Sequence, residues 1–302
     1  MKAVVIHQYG GPNELKLEER PDPTPGEGEV LVRVAAASIN PIDYKIRSGA
    51  AQHIFPVEFP AILGFDLSGT VRAVGAGVTS LALGDKVFGR AMQAYAELCV
   101  VKAAQLAKVP DVLDLVKAAA LPLVLDTGDQ LIRLGANIQA GQTVLITGAI
   151  GGVGRSAVWT AKQAGANVIA GVRGKQLEEA KTIGADQVIA LDDKDAMAKL
   201  GLVDAVADTV GGAIGNQLLA HIKPGGVLGT VVGPPSDAAL HPTIRIGMVG
   251  AKPDPERLLE MAHAVVAGKL HIPIDRMIPL AEASVGQAAA EKGGIGKVLL
   301  MA

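Results

Sequence analysis

Residues 143–155 read TVLITGAIGGVGR, a short apolar run followed by a dense set of glycines. Val144, Leu145 and Ile146 suit a buried parallel strand, and the small residues of 156–164 suit a helix. Between them lie Ala149, Ile150, Gly151, Gly152, Val153 and Gly154. The glycines at 151, 152 and 154 lack the β-carbons that would hold a pyrophosphate away from the backbone. The following helix start offers free N–H groups and the positive end of its dipole. Strand, glycine turn and helix in this order describe a dinucleotide-binding unit, a more specific signal than glycines alone.

The next apolar run, residues 167–171, ends in Gly171, Val172, Arg173, Gly174 and Lys175. An NAD site usually places Asp or Glu about 20 residues after the glycine turn, where it holds the ribose 2′-hydroxyl. Here no carboxylate stands at that point of the sequence, and Arg173 and Lys175 suit a 2′-phosphate. Two solvated surface charges are the plain alternative. Cations at a helix start are unfavourable without an anion nearby, which favours NADP(H), hence NADPH as the reductant.

A second group of chemistry-bearing residues occupies 40–47, NPIDYKIR. Asn40 can orient a carboxamide or a carbonyl, Tyr44 can donate to an oxyanion, and Lys45 can hold a ribose hydroxyl or supply positive charge. The structural alternative is that Asp43 caps a helical turn while Lys45 and Arg47 face solvent. Thr127 begins TGDQ, where it can serve as a helix N-cap. His53 reads as an exposed loop histidine, and no histidine spacing suggests a metal site.

These residues require scaffolding of two kinds. Residues 1–123 are strand-rich and punctuated by Gly and Pro, with strands expected at 2–6, 30–35, 67–74 and 85–88. From about residue 125 helix and strand alternate: helix 126–134, the glycine-rich unit, helix 175–183, strand 187–191, strand 203–210, helix 214–222, strand 227–232 and a strand near 243–249. That gives six strands in a doubly wound α/β pattern. A helix is expected at 255–268, and the strand–helix–strand tail is too short to stand alone, so it should join the first domain. The expected division is 1–123 with 265–302, and 124–264.

Composition narrows the classes. The 302 residues are 49% hydrophobic and 19% charged, with net charge −2, which gives no electrostatic case for nucleic acid or an anionic membrane. No run approaches a membrane span, and residues 1–11 lack a signal-peptide core. The single cysteine, Cys99, excludes intrachain disulfides and cysteine-rich metal sites, and suits a buried thiol. A soluble cytoplasmic protein is expected.

The chain resembles the zinc-independent branch of the medium-chain dehydrogenase/reductase superfamily, the quinone oxidoreductase and enone reductase group. The resemblance runs nearly end to end. It is carried by SINPIDYKIRSG at 38–49, PAILGFDLSGTV at 60–71, LGDKVFG at 83–89, AALPLVLDTGDQL at 119–131, the AIGGVG turn, GKLHIPIDRMIPL at 268–280 and GGIGKVLL at 293–300. It implies a split, partly barrel-like (GroES-like) β-rich catalytic domain beside a Rossmann domain. It also implies catalytic or nicotinamide-side roles for Asn40, Tyr44, Lys45 and Thr127. Cofactor contacts are implied at Thr209, Val210, Val232, Gly233 and Pro234.

Two departures stand out. The positions that hold catalytic zinc ligands in zinc-dependent relatives match Asn40, Phe65 and Leu123, an unusable set, and the four-cysteine structural-zinc lobe is missing. Asp129 stands where the family usually has an aromatic residue, which leaves few rings to stack on a quinone. The expectation is an NADPH-dependent, zinc-free oxidoreductase that reduces a quinone or the C=C bond of an α,β-unsaturated carbonyl. A catalytically silent NADPH-binding protein of the same fold is the alternative. A homodimer is expected by analogy.

Overall fold

The computed structural model describes residues 1–302. It divides into two units: Met1–Leu123 with Pro253–Ala267 and Ile272–Ala302, and Val124–Lys252 with Gly268–His271.

In the second unit the strands Thr143–Thr147, Asn167–Val172, Gln187–Ala190, Val203–Asp208, Ile222–Thr230 and Arg245–Met248 form one parallel sheet. Numbered by chain order, they lie 3-2-1-4-5-6. This is the doubly wound Rossmann order, with its switch point between Thr143–Thr147 and Val203–Asp208. Helices cover both faces, so alternate residues of one strand enter different cores. Leu145 joins Val206, Leu218 and Leu228, while Val144 and Ile146 join Ala157 and Ala170. Burial on both faces explains why these strands read as unbroken apolar runs.

The helix expected at 126–134 begins earlier, as Pro122–Gln130, and passes into a π-helical turn, Leu131–Ala136. Asn137, in the left-handed conformation at φ 48°, ends it. The wider turn lies directly on the sheet. A β-carbon on Gly247 would fall 2.2 Å from the Gly135 carbonyl oxygen, and one on Gly229 would fall 2.6 Å from the Ala136 nitrogen. The helix expected at 175–183 is shorter, a 3-10 turn Gly174–Gln176 followed by Leu177–Ala180.

The first unit holds a seven-strand sheet in the order Ile274–Pro279, Lys297–Met301, Glu29–Ser38, Asp66–Val74, Lys86–Arg90, Leu106–Lys108, with Leu98–Lys102 also paired to Glu29–Ser38. A smaller sheet joins Lys16–Glu19, Lys2–Ile6 and Ala61–Ile62. Glu29–Ser38 is the hub. It pairs antiparallel with Asp66–Val74, Leu98–Lys102 and Lys297–Met301, and two register shifts against Asp66–Val74 bend it. Residues from both ends of the chain thereby share one apolar core, from Val4 and Ile6 to Val298 and Leu300. Cys99 is buried in that core, which pushes its thiol up to about 12.

The units divide earlier than the sequence boundary at 265. Helix Pro255–Val266 belongs to the first unit, where it packs beside strand Leu106–Lys108, and only Gly268–His271 returns to the second. The alternation of helix and strand counts this helix with the Rossmann run. Its apolar side, with Leu258, Met261 and Ala262, is buried elsewhere. No helix is long and apolar enough to cross a membrane.

Candidate active site

In the second unit, Thr143–Thr147 delivers the chain to Gly148, whose φ of +59° turns it toward Gly151 and the helix Gly152–Gln163. No side chain caps this helix. Its first-turn N–H groups therefore remain free for an anion, and the helix dipole favours one there. The glycines divide the work differently from the sequence expectation. A β-carbon on Gly154 would lie 2.2 Å from the Gly148 carbonyl oxygen and 2.7 Å from Ala149 Cα, so Gly154 serves close packing of helix on turn. One on Gly152 would meet the Val124 side chain at 2.9 Å, so this glycine makes room for Val124 within the unit. Only Gly151 is exposed, with the Gly148 carbonyl oxygen at 3.2 Å as the single neighbour of its β-carbon position.

Ala149 is wholly buried, whereas Ile150 and Val153 are partly exposed. The turn is held by Arg155, which sequence reasoning missed. Its Nε donates to the Ile150 carbonyl at 2.8 Å, and its guanidinium pairs with Glu179 at 2.6 Å.

Across the switch point, Asp208 ends its strand fully buried. One carboxylate oxygen accepts from Thr147 Oγ1 at 2.8 Å and from the N–H groups of Val210 and Gly211 at 3.0 Å each. The other, Oδ2, has no partner. Thr209 is committed internally, its N–H to Thr147 Oγ1 and its own hydroxyl to the Thr147 carbonyl. The Thr209 and Val210 side chains flank Gly148, where a β-carbon would meet them at 2.6 and 3.2 Å. In the next loop Val232 N–H donates to Thr230 Oγ1, whose hydroxyl donates to the Gly233 carbonyl. Val232 and Pro234 are exposed, and Gly233 has φ +115°. The structure thus gathers the glycine turn, Thr209–Val210 and the 232–234 loop at the carboxyl ends of the central strands. Such sheets bind ligands there.

Thr127 lies inside helix Pro122–Gln130 and is not its N-cap. The neighbouring Gly128 allows this helix to touch Gly152–Gln163, since its β-carbon would fall 2.4 Å from the Val153 carbonyl oxygen. Asp129 is buried, with Arg133 at 2.6 Å and the Thr160 hydroxyl at 3.2 Å. It is an interhelical link rather than a substitute for a substrate-stacking ring.

Arg173 and Lys175 are exposed and make no ion pair. A carboxylate from elsewhere in the chain nevertheless reaches the backbone between them. Asp192, from the adjacent strand end, accepts the Gly174 N–H at 2.7 Å. The absence of a carboxylate at this point of the sequence is not an absence in space.

In the first unit, Asn40 lies at the centre of a buried polar cluster. Its Nδ2 donates to Asp66 Oδ2 at 2.9 Å and its Oδ1 accepts from Lys297 at 2.6 Å. Its N–H donates to Asp43 Oδ2 at 2.7 Å. Asp66 also accepts from Ser38 Oγ and from the Leu123 N–H. Both functional ends of the Asn40 side chain are therefore occupied within the protein.

Asp43 is fully buried, receives the Tyr95 hydroxyl at 2.9 Å, and leaves Oδ1 without a partner. Burial raises its carboxyl to about 7, against the lowering effect of the Asn40 and Tyr95 bonds. Burial likewise pulls Lys297 below the usual lysine range, and Asp66, 3.7 Å away, opposes this.

The cluster fixes the start of helix Pro41–Arg47, which presents Tyr44 half-buried and Lys45 exposed. Burial, Glu291 and Asp43 raise the Tyr44 phenol above its ordinary value, so it stays protonated at neutral pH. Arg47 is buried rather than solvated. It donates to the Gly10 carbonyl, Gln287 and Glu291. His53 is exposed.

Residues 26–111 match the alcohol dehydrogenase GroES-like domain, and residues 183–300 match the zinc-binding dehydrogenase family. The chain is 30% identical to a chloroplast envelope quinone oxidoreductase homolog of Arabidopsis thaliana, covering 99% of this chain and 98% of that protein. It is 32% identical to an NADPH-dependent alkenal/one oxidoreductase of the same plant, over 77% of this chain and 63% of the relative. The solved quinone oxidoreductase of Coxiella burnetii superposes with TM-score 0.91 at 32% identity, covering 100% of this chain and 99% of that one. The chain belongs to the medium-chain dehydrogenase/reductase superfamily, in its quinone oxidoreductase and enone reductase group. It is an oxidoreductase with a pyridine-nucleotide fold.

The residues do not fit the zinc for which one matched family is named. Asn40 has both side-chain ends bonded, while Phe65 lies in the apolar core, edge-on to Phe55. Leu123 offers no ligand atom, and no group of three His, Cys, Asp or Glu side chains could hold a metal ion.

Proposed function

We propose that this chain is an NADPH-dependent reductase of electron-poor carbonyl compounds, quinones or enones, working without zinc. The uncapped start of helix Gly152–Gln163, with Gly151 exposed before it, is the observation that carries the cofactor assignment. The pyrophosphate would rest there, and Arg173 and Lys175 would hold the 2′-phosphate. The loops carrying Thr209, Val210, Val232, Gly233 and Pro234, together with Thr127, would line the nicotinamide. Bound NADPH would supply a hydride.

The chain's own task is to manage the oxygen on which charge develops when that hydride adds to a quinone or to the β-carbon of an enone. Tyr44 suits this role. Its phenol keeps its proton at neutral pH, and the helix that bears it is anchored through Asn40 and Asp43. Lys45 adds a positive charge one residue on. Asn40 acts through this anchoring and not by contact with substrate, because Asp66 and Lys297 occupy its side chain. The relatives named for quinones and for alkenals and enones support both substrate classes. The Arg245–Met248 strand leaves one edge of its sheet unpaired, with Met248 exposed, and supports assembly as a homodimer through that edge.

The test mixes the protein with NADPH and a panel of small quinones and enones, with and without a chelator, and follows nicotinamide absorbance. Substrate-dependent NADPH oxidation unchanged by chelation is expected. NADPH binding with no oxidation across the panel would assign a silent nucleotide-binding protein instead. Activity lost on chelation and restored by zinc would overturn the metal-free reading.

A further inference from the structure

We infer that Asp192 reads the adenosine ribose of the cofactor, so that the site takes NADH as well as NADPH; this rests on the nucleotide assignment above. Strands Asn167–Val172 and Gln187–Ala190 run parallel with Val172 opposite Ala190. Leu191 N–H donates to the Val172 carbonyl, which carries the pairing one step beyond the strands. Two residues on from that register pair are Gly174 and Asp192, and the Gly174 N–H donates to Asp192 Oδ1 at 2.7 Å. The end of the second strand is where a dinucleotide fold places the acid that accepts the ribose 2′-hydroxyl. This chain has no acid there in its own sequence, and the third strand brings one to the same place in space.

The chemistry separates the two cofactors. Asp192 is exposed, and its Oδ2 has no bond within the chain, so one oxygen is fixed by the backbone while the other can accept a hydroxyl. That oxygen favours the free 2′-hydroxyl of NADH. Against the 2′-phosphate of NADPH it is a like charge, which offsets part of the attraction of Arg173 and Lys175. In solvent such opposed contributions are each modest. The two dissociation constants should therefore lie within about tenfold of one another.

Asp192→Asn tests this directly, because the amide oxygen still accepts the Gly174 N–H and the loop keeps its geometry. Titration of protein fluorescence with NADH and with NADPH should show NADH affinity falling about tenfold and NADPH affinity rising several-fold. Arg173→Ala should move the ratio the opposite way, by weakening NADPH alone. An Asp192→Asn protein whose NADH-to-NADPH ratio equals that of the wild type would overturn the inference and leave the nucleotide assignment intact. A wild-type protein that binds neither nucleotide would overturn the assignment, and the inference with it.

Discussion

Two regions of this protein solve the placement of polar groups in opposite ways. The glycine turn of the Rossmann unit does so within residues 147–154, mostly by omission: an uncapped helix and glycines where a β-carbon would collide. The cluster around Asn40 does it by accumulation. Ser38, Asn40, Asp43, Asp66, Tyr95 and Lys297 converge from distant parts of the chain and bury their polar groups together. The first design tolerates no added atom at its contact points. The second is sensitive to the loss of an ionic partner, since a buried charge left alone is costly.

The largest expected effect is at Gly154. Gly154→Val would drive a branched side chain into the Gly148 carbonyl oxygen and Ala149, and should cost more than about 3 kcal/mol of stability, abolishing NADPH binding with it. Gly151→Ala, with its φ of −72°, should keep the thermal unfolding temperature and lose only affinity. Calorimetry and NADPH titration on both variants separate packing from clearance. Equal stability in the two would erase the distinction drawn between these glycines.

At the second region, Lys297→Met should destabilise by about 3–5 kcal/mol, because Asn40 Oδ1 loses its donor and Asp66 its counter-charge. Denaturant unfolding measures this, and a loss below about 1 kcal/mol would show that the cluster tolerates a missing partner.

Asp43 gives a smaller effect that depends on pH. Its folded-state carboxyl, at about 7, lies above the ordinary 3.8. The stability it contributes is therefore complete below about pH 4 and lost as pH rises through 7. Asp43→Asn should remove that loss, worth about 3 kcal/mol between about pH 5 and pH 8. Parallel unfolding curves at the two pH values decide it, and identical pH slopes in variant and wild type would exclude Asp43 as the titrating group.

Tyr44→Phe should leave stability and NADPH affinity untouched while lowering turnover about 10²-fold, the usual contribution of one general acid. Unchanged turnover would remove Tyr44 from the reaction.

The same contrast explains what was legible in the sequence. The Rossmann unit announces itself because its device is local, and strand, turn and helix follow in order. Lys2–Ile6 falls at its expected place, and Ile274–Pro279, Ala283–Lys292 and Lys297–Met301 make up the expected strand–helix–strand tail. Individual glycine roles were not legible, since Val124 and Ala149 approach Gly152 and Gly154 only in the folded unit. Arg47 and Asp129 look like surface charges until Gln287, Glu291 and Arg133 arrive to receive them. Asp208 carried a weak signal, an acid closing an apolar strand run just before Gly211 and Gly212. Asp192 carried none, because its relevance comes from parallel register with a segment 18 residues earlier.

The bond between Asn40 and Lys297 spans 257 positions, and this has a consequence for synthesis. During translation Asn40, Asp43 and Asp66 emerge long before the ammonium that balances them, whereas Val124–Lys252, all of the second unit but Gly268–His271, emerges in one stretch. Domains fold as units while the chain elongates, and contacts this distant close late. The unit begun first therefore closes its polar cluster only after most of the second unit has been made, because the Asn40 and Asp66 contacts to Lys297 need residue 297.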